Sequence, residues 1–83
     1  MVDAMARRLS ASDIRVRFGF VVKTLREKHA LTQEDLADKA GIHRTYLSDI
    51  ERGSRNVALI NIERLAQSLS VSLQELFKRV DQT

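Results

Sequence analysis

Arg44 and Ser48 stand four residues apart in the segment HRTYLSDIER, as do Thr45 and Asp49. On a helix that spacing puts each pair on one face, here the face turned away from Leu47 and Ile50. These side chains have the chemistry of reading nucleic-acid base edges. Arg44 can donate two hydrogen bonds to the O6/N7 edge of guanine. Thr45 offers a hydroxyl to a base or phosphate and a methyl to thymine. Ser48 is small and permits close approach. Asp49 has two readings: it accepts from cytosine N4, or it pairs with Arg52 or Arg44, and the sequence favours the pair. Tyr46 lies at the edge of this face, where it either meets a phosphate or covers the border of the core. Arg52, Arg55 and Asn56 follow. Ser, Arg and Asn are ordinary turn residues, but the uniformly positive charge of this loop favours phosphate contact.

Two short helices and a turn must hold these residues in place. QEDLADKA carries Leu36 and Ala40 inward, with small Ala37 where a second helix has to cross closely. Gly41 supplies the positive φ that reverses the chain. Ile42 then precedes a capping His43 and can staple onto Leu47. Leu47 and Ile50 turn the next helix, about Arg44 to Arg52, inward, and Gly53 suits its left-handed end. Small residue, Gly and new helix at this spacing form the helix-turn-helix pattern, whose second helix is expected in the major groove of DNA. Thr32 and Asp35 resemble a capping box at the start of the first. Gln33, at its first position, is placed to meet a phosphate together with the helix N-terminus. Glu51 opposes the dipole at the end of the second and needs a partner; Arg26 is the candidate.

The remaining segments read as supports. A helix is expected from Ser12, its cap, to about Lys28, with Ile14, Phe18, Val22 and Leu25 inward. Val16, Phe20 and Val21 fit this stripe poorly. Phe20 is either a contact for a partner or the N-terminal segment, or a single exposed ring of no consequence. Gly19 costs about 1 kcal/mol against Ala inside a helix, which points to a close backbone approach. A fourth helix covers roughly Leu59 to Leu69, with Leu59, Ile62, Leu65, Ala66 and Leu69 inward. A fifth runs from a capping box at Ser72 and Glu75 to about Val80, with Leu73, Leu76, Phe77 and Val80 apolar. Phe20, Leu76, Phe77 and Val80 are the candidates for a subunit interface. Residues 1–11 form an extension, either a short helix (Val2, Met5 and Leu9 have helical spacing) or a tail; residues 12–80 form the domain and 81–83 a tail.

Eighty-three residues without Cys or Pro, and with only three Gly, fit one all-α domain with short turns. A chain of this size buries only somewhat more than about 60% of its unfolded surface, so a homodimer would add burial. The net charge of +3 is unevenly spread: residues 1–30 hold seven basic and three acidic side chains, residues 31–83 seven and eight. The helix-turn-helix half is therefore not basic overall, and affinity for DNA must come from local placement of Arg. No apolar run can span a membrane and no signal-peptide pattern opens the chain, which is compatible with the cytoplasm. His29 and His43 lack neighbours at metal-ligand spacing, so no metal and no cofactor is expected. No phosphate-binding Gly loop or nucleophile elbow is present, and an enzyme is not expected.

FGFVVKTLR, LTQEDLADKAGI, IERGSRN and LINIERLAQSLSVSLQELF together resemble the lambda-repressor-type helix-turn-helix domains of the XRE family. HRTYLSDIERGSRNVAL is most similar to the restriction–modification controller proteins within it. The resemblance implies a compact five-helix fold, dimeric binding to palindromic operator DNA, and autoregulation. It implies contacts from Arg44, Thr45, Tyr46, Ser48, Arg52, Arg55 and Asn56, a phosphate contact from Gln33, and a structural ion pair between Arg26 and Glu51. Ala30 and Ser70 stand where the family usually has Gly. A side chain in left-handed geometry costs about 1 to 2 kcal/mol, which points to turns built differently. Ala58 replaces the Ser or Thr that would cap the fourth helix. The alternative to a transcriptional regulator is a protein-interaction module, such as the antitoxin of a toxin pair, working through Phe20, the N-terminal segment and the fifth helix.

Overall fold

A computed structural model of the chain describes residues 13–83, in which five helices follow one another: α1 (Ile14–Lys28), α2 (Gln33–Ala40), α3 (Arg44–Glu51), α4 (Leu59–Ser68) and α5 (Leu73–Asp81). No strand occurs among the described residues. The readings of residues 1–11 and of Ser12 lie outside them. The start of α1 is capped by Asp13, whose side chain accepts from the amide of Arg15.

Two further helix starts have a local cause. Thr32 and Asp35 form a reciprocal capping box on α2, and Ser72 accepts from the amide of Glu75 on α5. His43 and Ala58 cap α3 and α4 without a side-chain hydrogen bond, so these starts depend on packing.

The ends of α1 to α4 share one device. A residue at or just after the cap takes positive φ: Ala30 (56°), Gly41 (71°), Gly53 (78°) and Ser70 (58°). The next amide then bonds five residues back: Leu31 to Arg26, Ile42 to Ala37, Ser54 to Asp49 and Val71 to Ala66. This is the Schellman motif, with Leu31, Ile42 and Val71 folded onto the core. The Ala30 and Ser70 turns are therefore built like the Gly turns, contrary to the expectation above, and carry the backbone strain.

The core is made of Phe18, Val21, Val22, Leu25, Leu36, Ala37, Ala40, Leu47, Ile50, Leu65, Ala66, Leu69, Leu76 and Val80. α1 packs against α3 and α5, α2 against α3 and α4, and α4 against α5. Val21 is buried because α1 is covered from two sides, which widens its apolar face beyond one stripe. Three residues expected inside are exposed: Ile14 (55%), Leu59 (77%) and Leu73 (38%). Each lies at the first position of its helix, where cover from neighbouring helices has not begun. Leu76 and Val80 are almost fully buried within one chain, so neither is available to a subunit interface. Phe77 is partly buried, its ring 6.2 Å from that of Phe18. None of the described helices is long and apolar enough to cross a membrane.

Candidate nucleic-acid interface

The seat of α3 is set by a residue that has no side chain. A Cβ at Gly19 would lie 2.2 Å from the carbonyl oxygen of Ile50 and 2.9 Å from that of Glu51. Only Gly lets α1 approach the last turn of α3 this closely. Glu51 is then within reach of α1. Arg26 donates from Nε to Oε2 at 2.7 Å and from Nη2 to Oε1 at 3.0 Å. Its Nη1 bonds the carbonyl of Leu31 at 2.9 Å. The pair is sheltered, with side chains 11% and 4% exposed, and the carboxylate raises the guanidinium's pKa. Such two-point charge-assisted bonds fix an angle as well as a distance.

Gln33 joins the same carboxylate, its Nε2 donating to Glu51 Oε1 at 3.0 Å. Glu51 thus links the first turn of α2 and the last turn of α1 to the end of α3. The amide nitrogen of Gln33 has a second hydrogen, so the side chain keeps a donor while anchored. An open hollow lined by Arg26, Thr32, Gln33, Glu34 and Arg44 joins the start of α2 to the start of α3.

On the outer face of α3, Arg44 and Thr45 are exposed and make no side-chain hydrogen bond or ion pair among the described residues. Asp49 is paired, and its partners are Arg52 and Arg55 rather than Arg44. Ser48 accepts from Arg52 Nη1 at 2.8 Å. The guanidinium of Arg55 stands over the ring of Tyr46, 5.3 Å from its centre, a cation–π contact. The Tyr46 hydroxyl takes a long bond, 3.4 Å, from Asn61 of α4. Tyr46 therefore holds the edge of the core and carries Arg55 on its ring. Asn56 is exposed beside Arg55.

Two contributors were not singled out from sequence. Asn61 reaches Tyr46, and its signal was a polar residue between Ile60 and Ile62. Ser54 donates from its hydroxyl to the carbonyl of Asp49 at 3.1 Å, fixing the loop after α3. Among the described residues no group of His, Cys, Asp and Glu could hold a metal ion.

A short exposed helix with free Arg and Thr at its start, braced against a preceding helix through a tight Gly turn, defines a helix-turn-helix DNA-binding domain. A family model described as helix-turn-helix matches residues 22–76. The chain is 45% identical over 71 residues to the control protein C.MunI of a Mycoplasma species, covering 84% of this chain and 96% of that one. It is 47% identical over 66 residues to the control protein C.BamHI of Bacillus amyloliquefaciens, covering 78% and 82%. Among solved structures it is similar to the restriction–modification controller protein C.AhdI from Aeromonas hydrophila, with a TM-score of 0.74, 44% identity, and coverage of 76% and 96%. The chain belongs to the helix-turn-helix family of DNA-binding transcriptional regulators. Nothing in these comparisons supports the toxin-pair reading.

Proposed function

We propose that the chain is a cytoplasmic, homodimeric regulator of a restriction–modification system that binds a palindromic operator with α3 in the major groove. The observation that carries this reading is the contrast on α3. Arg44 and Thr45 at its start are unengaged and exposed, whereas Glu51 at its end is tied to two other helices. A recognition helix needs that combination: free donors at the tip and a rigid root. Arg44 reads guanine, and Thr45 and Ser48 meet neighbouring bases. Gln33 and the first amides of α2 meet one phosphate, while Arg52, Arg55 and Asn56 meet others, which fixes register without reading sequence. Tyr46 supports Arg55. The similarity to controller proteins supports the setting.

For the interface between subunits, Leu59 and Ile60 replace Leu76 and Val80. They are adjacent, large and exposed at the start of α4, and dimerisation is the ordinary way for a helix-turn-helix domain to read two half-sites one turn apart. Phe20 is also exposed, on α1.

The test is selection from a random pool of DNA duplexes with the purified full chain, followed by anisotropy titrations of the recovered duplex. The expected result is enrichment of an inverted repeat whose binding survives a scrambled competitor. Failure to enrich any sequence would overturn the reading.

A further inference from the structure

The acid on the recognition helix stands out, because a carboxylate beside a phosphate backbone is repelled. Asp49 is also sheltered: its side chain is 16% exposed, while its partners Arg52 and Arg55 are 63% and 50% exposed. Its Oδ1 accepts from Arg52 Nη2, and its Oδ2 from Arg55 Nε at 3.2 Å. Both guanidiniums have a second support, Arg52 on the Ser48 hydroxyl and Arg55 on the Tyr46 ring. The Ser54 hydroxyl holds the backbone carbonyl of Asp49, so the turn carrying Arg55 is tied to the same residue. Both carboxylate oxygens are occupied by arginine, which leaves cytosine N4 a poor competitor for them.

We propose that Asp49 is a specificity-determining positioning residue, which clamps Arg52 and Arg55 in one arrangement and thereby weakens binding to non-cognate DNA more than binding to the operator. The inference rests on the DNA-binding reading above. Sequence-independent affinity comes from net positive charge and from arginines free to find phosphates. Asp49 removes one unit of that charge and ties down the two arginines. At the operator the clamped arrangement already fits, so less side-chain freedom is lost on binding and the charge penalty is offset. Each guanidinium keeps outward N–H donors for phosphate while held, since it has five.

The experiment compares the wild-type chain and Asp49→Asn, which keeps the side-chain shape, on the selected duplex and on its scrambled version across a salt series. Asp49→Asn should bind the scrambled duplex roughly three- to tenfold more tightly. Its salt slope there should steepen by up to about one unit. Its affinity for the selected duplex should change by less than about twofold, so that the ratio of the two affinities falls. Asp49→Glu, which keeps the charge, should retain most of the ratio. With Arg52→Ala and Arg55→Ala already in place, Asp49→Asn should no longer alter the ratio. A wild-type chain without preference for the selected duplex would remove the DNA-binding reading and this inference with it. A wild-type preference that Asp49→Asn leaves unchanged or raises would overturn the inference alone. So would a change that persists once both arginines are gone.

Discussion

Gln33 and Glu51 are 18 residues apart in sequence and share a hydrogen bond of 3.0 Å, from the amide of one to the carboxylate of the other. The bond joins the first residue of α2 to the last residue of α3. Because Glu51 also accepts twice from Arg26, one carboxylate sets how the two halves of the helix-turn-helix stand to each other. Its burial makes the arrangement sensitive to the loss of any partner.

Arg26→Ala should therefore be costly. It leaves a carboxylate only 4% exposed without its counter-charge, a loss of about 3 to 5 kcal/mol. Thermal melts should show it as a large drop in Tm. Replacing both partners, Arg26→Met with Glu51→Leu, should recover most of that stability, since apolar groups need no counter-charge. DNA binding should not recover with it, because Gln33 has lost its anchor. Full recovery of both would show that the carboxylate does not orient Gln33.

The backbone sets a second expectation with two signs. Gly19→Ala places a methyl 2.2 Å from the carbonyl oxygen of Ile50, a rigid obstacle, and should destabilise by at least about 1 to 3 kcal/mol. Since α3 must shift to make room, its DNA affinity should fall further than the melt alone implies. Ala30→Gly and Ser70→Gly act the other way. Each relieves about 1 to 2 kcal/mol of left-handed strain and returns part of it through the freer unfolded chain. A net gain of roughly 0.5 to 1 kcal/mol apiece in urea melts is the expected outcome.

The helix boundaries apart from the cap of α1 (Asp13 in place of Ser12), the Gly turns and the inward faces of α2 and α3 were legible in the sequence, because each depends on local signals within a few residues. Besides the Ala30 and Ser70 turns and the exposed first residues of α1, α4 and α5, three things were not. Val21 looked misplaced, since a single stripe is the signature of a helix covered from one side and α1 is covered from two. Leu76 and Val80 looked like interface residues, since an apolar face does not say whether its cover comes from the same chain or another. The partners of Asp49 were half legible: the nearer one, Arg52, follows from helical spacing. Arg55 requires the turn at Gly53 to bring the loop back.

Acid should weaken the fold through its helix caps. The pKa of Asp13 is held at about 2, below the ordinary 3.8, by its hydrogen bonds to the side chain and then the amide of Arg15. Asp35 is lowered as well, first by the amide of Thr32 and then by its side chain. A carboxylate with a depressed pKa binds fewer protons folded than unfolded, so its contribution is complete above the unfolded value. For Asp13 it is lost as pH falls from about 3.8 toward about 2. Urea midpoints measured through that window should decline, and Asp13→Asn should make the decline shallower. An unchanged slope would mean that the cap does not hold in solution.

Arg44 and Arg55 should separate base reading from phosphate holding. Arg44→Ala should cost about 1 to 3 kcal/mol on the selected duplex and little on its scrambled version, and should relax one base position. Arg55→Ala should weaken both duplexes, the selected one more because the clamped arginine already fits it, without relaxing any base position, and should lower the salt slope by about one. Anisotropy titrations at several salt concentrations distinguish the two. Equal losses on both duplexes for Arg44→Ala would refute its base-reading role.

The proposed subunit interface gives the last contrast. Leu59 and Ile60 are 77% and 57% exposed, whereas Leu76 is fully buried, so charge placed at the two sites must act differently. Leu59→Glu with Ile60→Glu removes exposed apolar surface from a face that the monomer does not need. The expected result is a folded monomer by sedimentation, with an unchanged circular dichroism spectrum and weakened binding to the two-half-site duplex. Leu76→Glu instead buries a carboxylate in the core and should unfold the chain. A dimer that survives charge at both Leu59 and Ile60 would move the interface elsewhere, and Phe20 on α1, 58% exposed, would be the next residue to change.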